Sequence, residues 1–159
     1  MPIVSWLVSR FRPIGKIVSG HRCCTASDGL FFSPQQFFPN KLYNLGSRGI
    51  EYDLLPFMES NGIATMAYCP MAHDRHTRKL IAEETSVMEI SSKYGITTEQ
   101  LMLAFVLSKE GVCAIPKASS LQHVLLNAAS VDIVLSPEDM DMLAVHFPSP
   151  KRKMSFDML

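Results

Sequence analysis

Two short segments of the chain carry side chains suited to binding a phosphorylated nucleotide. In the first, Tyr68 offers a flat aromatic ring that can stack on a planar heterocycle. In the second, GVCAIPKASS at residues 111–120, Lys117 follows an apolar run and offers a point charge for a phosphate. Ser119 and Ser120 add hydroxyls and backbone N–H groups where a helix is predicted to begin, which is a favourable place for an anion.

Two polar residues follow on that predicted helix. His123 and Asn127 are four positions apart, so both project from the same side of the helix as it leaves the serines. Each residue also has a simpler interpretation. A tyrosine at a strand end is commonly part of the core, a lone lysine commonly lies at the surface, and a serine commonly acts only as a helix cap. The residues taken singly leave both interpretations open, and their combination favours a nucleotide.

Other kinds of chemistry have weaker support in the sequence. His73 and His76 flank Asp74, but two histidines without a firm third ligand are weak evidence for a metal site. Cys69 has no histidine at a motif spacing, and there is no G-x-S-x-G nucleophile elbow. Neither a G-x-G-x-x-G fingerprint nor a P-loop occurs. We therefore predict no metal site and no catalytic nucleophile.

Alternating strands and helices would bring the two segments together. Apolar runs predict strands over residues 41–45, 63–69 and 112–116. Helices are predicted over residues 52–61, from 79 or 84 to 94, from Thr97 towards Gly111, from Ser120 onward, and from Ser136 to about 146. This order is typical of an α/β fold with a parallel sheet, in which ligands bind at the carboxyl ends of strands.

Local signals predict helix starts and buried positions. Thr97 and Gln100 form a capping box, and Ser136 precedes a proline suited to the first helical position. Residues 71–78 are predicted to form a polar loop, and the continuous apolar run at 63–69 predicts a strand covered on both faces. Cys69 and Cys113 lie in apolar runs and are predicted as buried thiols. Four apolar residues recur at helical spacing on one face of the helix predicted from Ser120, namely Leu121, Val124, Leu125 and Ala128.

Composition narrows the classes of partner. The formal net charge of the 159-residue chain is zero, so it gives no reason to expect nucleic acid or an acidic membrane as a partner. No run reaches the roughly 18 apolar residues that span a bilayer. The N-terminus lacks the pattern of a signal peptide, and the four cysteines form no regular framework. We expect a cytoplasmic protein with reduced thiols.

Residues 43–72 and 115–143, together with the ending FPSPKRKMSFDML, resemble the aldo-keto reductase superfamily. The similarity is greatest to bacterial members that reduce methylglyoxal and other small aldehydes. It implies a (β/α)8 barrel with NADPH across its C-terminal face, of which this chain has the equivalents of strands six to eight. Residues 39–147 would form this partial TIM barrel, 148–159 an extended tail, and 1–38 an irregular, poorly matched segment.

The resemblance also assigns roles at the nicotinamide end of the cofactor. It implies that Tyr68 stacks on the nicotinamide, and that Cys69, Pro70 and Met71 line the pyrophosphate, with Cys69 in place of the family's serine. The family's Asn-Gln pair beside the carboxamide corresponds to Asn40 and Lys41. Because Lys41 replaces a glutamine, an amide acceptor is lost and a charge is placed near the nicotinamide.

At the adenosine end, the resemblance implies that Lys117 meets the 2′-phosphate. Phosphate and adenine would be held by Ala118, Ser119, Ser120, His123 and Asn127. His123 stands where most members have an arginine, which weakens a strict preference for NADPH.

The family's catalytic tetrad, an Asp, a Tyr, a Lys and a His, lies in the first half of the barrel and has no equivalent here. A complete barrel of this class needs roughly 250 residues. We expect a truncated NAD(P)H-dependent oxidoreductase that has no catalytic residue and does not reduce a small carbonyl substrate alone; NADP(H) is the cofactor that the resemblance implies. The alternative is a nucleotide-binding or interaction module that pairs with itself or another chain through open sheet edges. An unrelated α/β protein without a nucleotide role is disfavoured by the two long matching segments.

Overall fold

Three short strands pair in parallel in the order β1-β2-β3. The structure is a computed structural model that describes residues 40–153. The strands are β1 at Lys41–Leu42, β2 at Thr65–Tyr68 and β3 at Val112–Ile115. The predicted α/β class with a parallel sheet is confirmed, whereas the segment 1–38 and residues 154–159 of the tail lie outside the described residues.

Six helices connect and follow these strands within residues 40–153. They are α1 (Leu54–Ser60), α2 (Arg75–Ala82), α3 (Thr85–Tyr94), α4 (Thr98–Leu107), α5 (Leu121–Ala129) and α6 (Pro137–His146), with 3₁₀ turns at Gly49–Glu51 and Ser130–Asp132. The predicted capping box is confirmed, because Thr97 and Gln100 exchange both hydrogen bonds. The Ser136 hydroxyl accepts from the Asp139 backbone N–H, with Pro137 at the first helical position.

Two predicted boundaries are wrong. The strand predicted over residues 41–45 ends at Leu42, because Asn44 turns the chain by accepting the N–H groups of Gly46 (3.0 Å) and Ser47 (2.9 Å) on its side-chain oxygen. The polar loop predicted over 71–78 ends at Asp74. Its carboxylate caps α2 by accepting the Thr77 N–H at 2.8 Å, so two helices occupy the region predicted as one.

One face of the sheet is covered by helices and the other is open in the described residues. Successive side chains in a strand point to opposite faces. Thr65 and Ala67 are buried, but Cys113 is exposed and Ile115 is 41% exposed. On β2 itself, Thr65 and Ala67 are buried and Met66 and Tyr68 on the other face are half-buried, so the predicted cover of residues 63–69 is full on one face and partial on the other. The prediction of two buried thiols is wrong. Cys69 is only half-buried, and Cys113 lies on the open face.

The covered face packs mainly on α4, whose residues 100–106 are all buried. The largest fully buried side chains include Tyr43, Leu45, Met58, Ile90, Leu101 and Phe105. By contrast, α5 has no buried residue, and Leu121 and Leu125 on its apolar face are 69% and 45% exposed. Within residues 40–153, no helix has the length and apolarity to cross a membrane.

A buried ion pair joins the turn after β1 to the chain after α6. The Arg48 guanidinium donates to both oxygens of Glu51 (2.9 and 2.7 Å), to the Phe147 carbonyl and to the Ser149 hydroxyl. Tyr43 donates its hydroxyl to Glu51 at 2.6 Å. Burial alone would raise the pKa of Glu51, but hydrogen bonds from Arg48, Ser149 and Tyr43 hold it below its ordinary value. The pair is therefore charged and satisfied.

A second polar network joins the end of α3 to the start of α6. The Asp139 carboxylate accepts from the Lys93 ammonium (2.8 Å), the Tyr94 hydroxyl (2.7 Å) and the Ser136 hydroxyl (2.8 Å). Tyr94 in turn accepts the Ser136 backbone N–H at 3.0 Å. Hydrogen bonds from Lys93 and Tyr94 lower the pKa of Asp139 from 3.8 to about 2.

Replacing Arg48 with Met should lower the free energy of unfolding by about 3 kcal/mol, because the Glu51 carboxylate then stays buried without its cation. Urea denaturation measures this difference. Arg75→Met is the matched control, since Arg75 is exposed at the start of α2. A loss for Arg48→Met no larger than for the control would contradict the account.

Replacing Asp139 with Ala should lower the free energy of unfolding by about 2 kcal/mol at neutral pH, because a buried acceptor of three side-chain bonds is lost. The folded pKa of about 2 lies below the ordinary 3.8, so this stabilisation is present above about pH 4 and is lost as the pH falls towards 2. Denaturation of both proteins across acidic pH should show the gap narrowing. Asp141→Ala, on the exposed side of α6, is the control. A gap independent of pH would exclude the charged network.

Candidate functional site

The sheet register brings the two candidate segments to one edge. Tyr68, the last residue of β2, pairs with Ile115, the last residue of β3. Adjacent strands lie about 4.8 Å apart and here run in the same direction. The chain therefore leaves both strands at the same carboxyl edge, which places Cys69–Met71 beside the segment that begins at Lys117. This edge is where ligands bind in parallel α/β folds.

The segment after β2 has an unusual backbone that other elements hold in place. Cys69 has φ of 48° and Ala72 has φ of 66°, a left-handed conformation that costs a side-chain-bearing residue about 1–2 kcal/mol. Asn44 donates to the Cys69 carbonyl at 3.1 Å. Arg78 donates to the carbonyls of Met71 (2.9 Å) and Ala72 (3.3 Å). Pro70 and Met71 between the two left-handed residues are buried.

The segment after β3 presents polar groups to solvent. Lys117, Ser119 and His123 are exposed, and Ala118 and Asn127 are half-buried. The Ser120 hydroxyl accepts the His123 backbone N–H at 3.2 Å, so Ser120 caps α5 as predicted. The simpler interpretations therefore hold in the structure: Lys117 lies at the surface, and Ser120 is a helix cap. Both are compatible with a ligand, because each residue follows β3 at the edge where Tyr68 ends β2.

Asn40 and Lys41 lie further from this edge. Lys41 pairs with Ala67, whereas Leu42 is the residue beside Tyr68. Asn40 is exposed and precedes β1. Lys41 therefore lies one position before the carboxyl end of β1, and Asn40 lies two positions before it. Their predicted contact with the carboxamide end of a nicotinamide stays a prediction.

A shallow cavity of about 220 Å³ lies elsewhere, beside the Arg48 network. Its lining is formed by residues 45–49, 146–148 and 150, and it includes none of the predicted nucleotide contacts.

The histidines considered for a metal site lie in and near the loop before α2. His73 Nε2 lies 3.2 Å from the Asp74 carboxylate. Among the residues that the structure describes, no group of three His, Cys, Asp or Glu side chains is placed to hold a metal ion.

Arg78 is the contact that sequence reasoning missed. The sequence pattern predicts a polar loop at this position, yet Arg78 lies on α2 and donates hydrogen bonds to two carbonyls of the segment after β2. The signal that would have placed it is Asp74, a preferred cap residue three positions before Thr77. A helix starting there turns Arg78 back towards Met71.

Comparison with known proteins decides the family. Residues 40–146 match the family model described as "Aldo/keto reductase family". The chain belongs to the aldo/keto reductase family. This confirms the resemblance seen in residues 43–72 and 115–143, and the matched range contains every predicted site residue.

Individual relatives of this aldo/keto reductase chain agree. It is 43% identical over 118 residues to the methylglyoxal reductase YeaE of Escherichia coli (strain K12), covering 74% of this chain and 42% of that protein. The human aldo-keto reductase family 1 member A1 is 29% identical over 96 residues, covering 57% of this chain and 29% of that protein.

Solved structures match as well. An aldo-keto reductase from Klebsiella pneumoniae in complex with NADPH has a TM-score of 0.72 and 45% identity, covering 76% of this chain and 42% of that one. The thermostable aldo-keto reductase Tm1743, in complex with the inhibitor epalrestat, has a TM-score of 0.57 and 34% identity, covering 67% and 38%. The chain thus spans less than half the length of the relatives it matches.

Proposed function

We propose that this chain supplies the NADP(H)-binding part of an oxidoreductase that reduces small aldehydes or ketones such as methylglyoxal. The observation that carries the proposal is the common edge of β2 and β3, where Tyr68, Cys69–Met71 and Lys117–Ser120 leave the sheet together. Family membership supports the reaction class. The Klebsiella relative was solved with NADPH, and the Escherichia coli relative is a methylglyoxal reductase.

The chemistry of this edge fits an anionic dinucleotide. Lys117 is an exposed cation, and α5 directs the positive end of its dipole towards the same place. Neither residues 68–73 nor residues 117–127 contain an acidic side chain that would repel phosphate. Lys117 and Ser119 would hold phosphate, His123 and Asn127 would hold the adenosine end, and Tyr68 would stack on the nicotinamide.

When bound, the cofactor supplies the hydride for carbonyl reduction. The residues of this chain would bind and orient it, with Tyr68 fixing the plane of the ring and Cys69–Met71 following the pyrophosphate. We assign the proton donor to none of residues 40–153. Residues 39–147 would correspond to strands six to eight of a (β/α)8 barrel, with 148–159 as its tail. We accordingly expect this chain to bind cofactor without reducing carbonyls alone.

A second candidate function is pairing with another chain. Within the described residues β3 pairs only with β2, and its Cys113 and Ile115 side chains face solvent. An open strand edge beside exposed apolar side chains favours strand addition. Under this alternative, the nucleotide site would be completed by a partner or by a second copy.

NADPH should bind the chain, and Lys117→Ala should weaken binding about tenfold or more, because a charge-assisted phosphate contact is lost. Titration of NADPH fluorescence measures both affinities. Lys151→Ala removes the same charge from an exposed position outside the site and should bind like wild type. Equal affinity of the Lys117 and Lys151 variants, or no binding by wild type, would refute the assignment.

The purified chain should not oxidise NADPH in the presence of methylglyoxal, because hydride transfer to a carbonyl also needs a proton donor and none of residues 40–153 takes that role in this proposal. Loss of cofactor absorbance is the measurement, with the Escherichia coli relative as positive control. Turnover that rises in proportion to the chain and disappears in Lys117→Ala would show that the chain is a complete enzyme.

A further inference from the structure

The β2–α2 loop, Cys69–Ala72, is held in an uncommon shape from two sides. Left-handed φ values at Cys69 and Ala72 persist only where surrounding groups hold them. Neither residue is glycine, so the sequence does not supply the conformation at low cost. The shape must come from contacts, and the hydrogen bonds to its carbonyls come from Asn44 and Arg78.

Asn44 holds the first end of the loop. It is 3% exposed, and its side chain donates to the Cys69 carbonyl while accepting two backbone N–H groups of its own turn. Because the acceptor side is fixed by Gly46 and Ser47, the amide cannot rotate without losing these bonds. Asn44 thus joins the carboxyl ends of β1 and β2.

Arg78 holds the second end of the loop. Its Nε donates to the Met71 carbonyl at 2.9 Å and its Nη2 to the Ala72 carbonyl at 3.3 Å. In a trans peptide the N–H points opposite to the C=O. Turning these two carbonyls towards Arg78 therefore turns the N–H groups of Ala72 and His73 away from it.

We propose that Asn44 and Arg78 are positioning residues that fix the β2–α2 loop in the shape that receives the pyrophosphate of the nucleotide. The proposal rests on the nucleotide-binding function proposed above and assigns neither side chain to direct contact with the ligand. Their hydrogen bonds turn the loop carbonyls, whose partial negative charge would repel a phosphate, towards Asn44 and Arg78. The same bonds keep Cys69 and Ala72 in the left-handed conformation, which would otherwise relax.

Four proteins test Arg78: wild type, Arg78→Ala, Arg78→Lys and the control Arg75→Ala. Arg75 lies on the same helix and is exposed, so its removal changes the charge of α2 equally. NADPH fluorescence titration should show about tenfold weaker binding for Arg78→Ala, since charge-assisted hydrogen bonds are lost. The control should bind like wild type.

Arg78→Lys separates positioning from charge. Lysine keeps the cation but lacks the planar fork that bonds two carbonyls at once, so it should restore little of the affinity. Full rescue by lysine would mean that charge alone matters and would overturn the positioning role. Unchanged affinity of Arg78→Ala in a protein whose wild type binds NADPH would also overturn it.

A measurement without ligand distinguishes this inference from the proposed function. Cys69 is half-buried at the start of the loop and Cys113 is exposed on β3. In Arg78→Ala, iodoacetamide should alkylate Cys69 about threefold faster or more, because local opening exposes half-buried groups, while the Cys113 rate stays constant. Site-resolved mass spectrometry gives both rates. Unchanged Cys69 alkylation would overturn the claim that Arg78 holds the loop.

Absence of NADPH binding by wild type would overturn the proposed function, and with it the nucleotide role of Arg78. The alkylation rates would still decide whether Arg78 fixes the loop. Asn44→Ala provides a second variant at the opposite end, and it should raise Cys69 alkylation in the same direction. A Cys69 rate equal to wild type in Asn44→Ala would overturn the part assigned to Asn44.

Discussion

The pairing of Tyr68 with Ile115 is the constraint on which the candidate site depends. The two strands are adjacent and parallel, so the residues that follow them leave the sheet at one edge. A slip of one residue would move every side chain of β3 to the other face. Lys117 would then no longer follow β3 in register with the Cys69–Met71 segment that follows β2.

Polar side chains from distant parts of the chain keep this edge in place. Asn44 and Arg78 act on the β2–α2 loop itself. The buried Arg48–Glu51 pair connects the turn after β1 to residues 147–149, and the Asp139 network joins α3 to α6. Each network has its hydrogen bonds satisfied, so burial of its charges does not destabilise the fold as an unpaired charge would.

The sequence predicted what depends on local chemistry. The caps at Thr97, Ser120 and Ser136 were visible because a cap needs only the next three residues. The exposure of Cys113 could not be predicted from its apolar neighbours, since it depends on which elements cover a face of the sheet. The contact of Arg78 with Met71 was missed because it requires the start of α2, which Asp74 sets. The predicted contacts that follow β2 and β3 share an edge, whereas Asn40 and Lys41 lie before it. Contact of these residues with a cofactor stays a prediction.

Hydrogen exchange with and without NADP⁺ tests the central claim most directly. Exchange followed by mass spectrometry reports backbone protection along the whole chain at once. The account predicts that the cofactor protects two separate stretches, residues 69–73 and 117–123, and leaves the cavity beside Arg48 unchanged. Protection at residues 45–49 and 146–150 instead, or no protection anywhere, would contradict it.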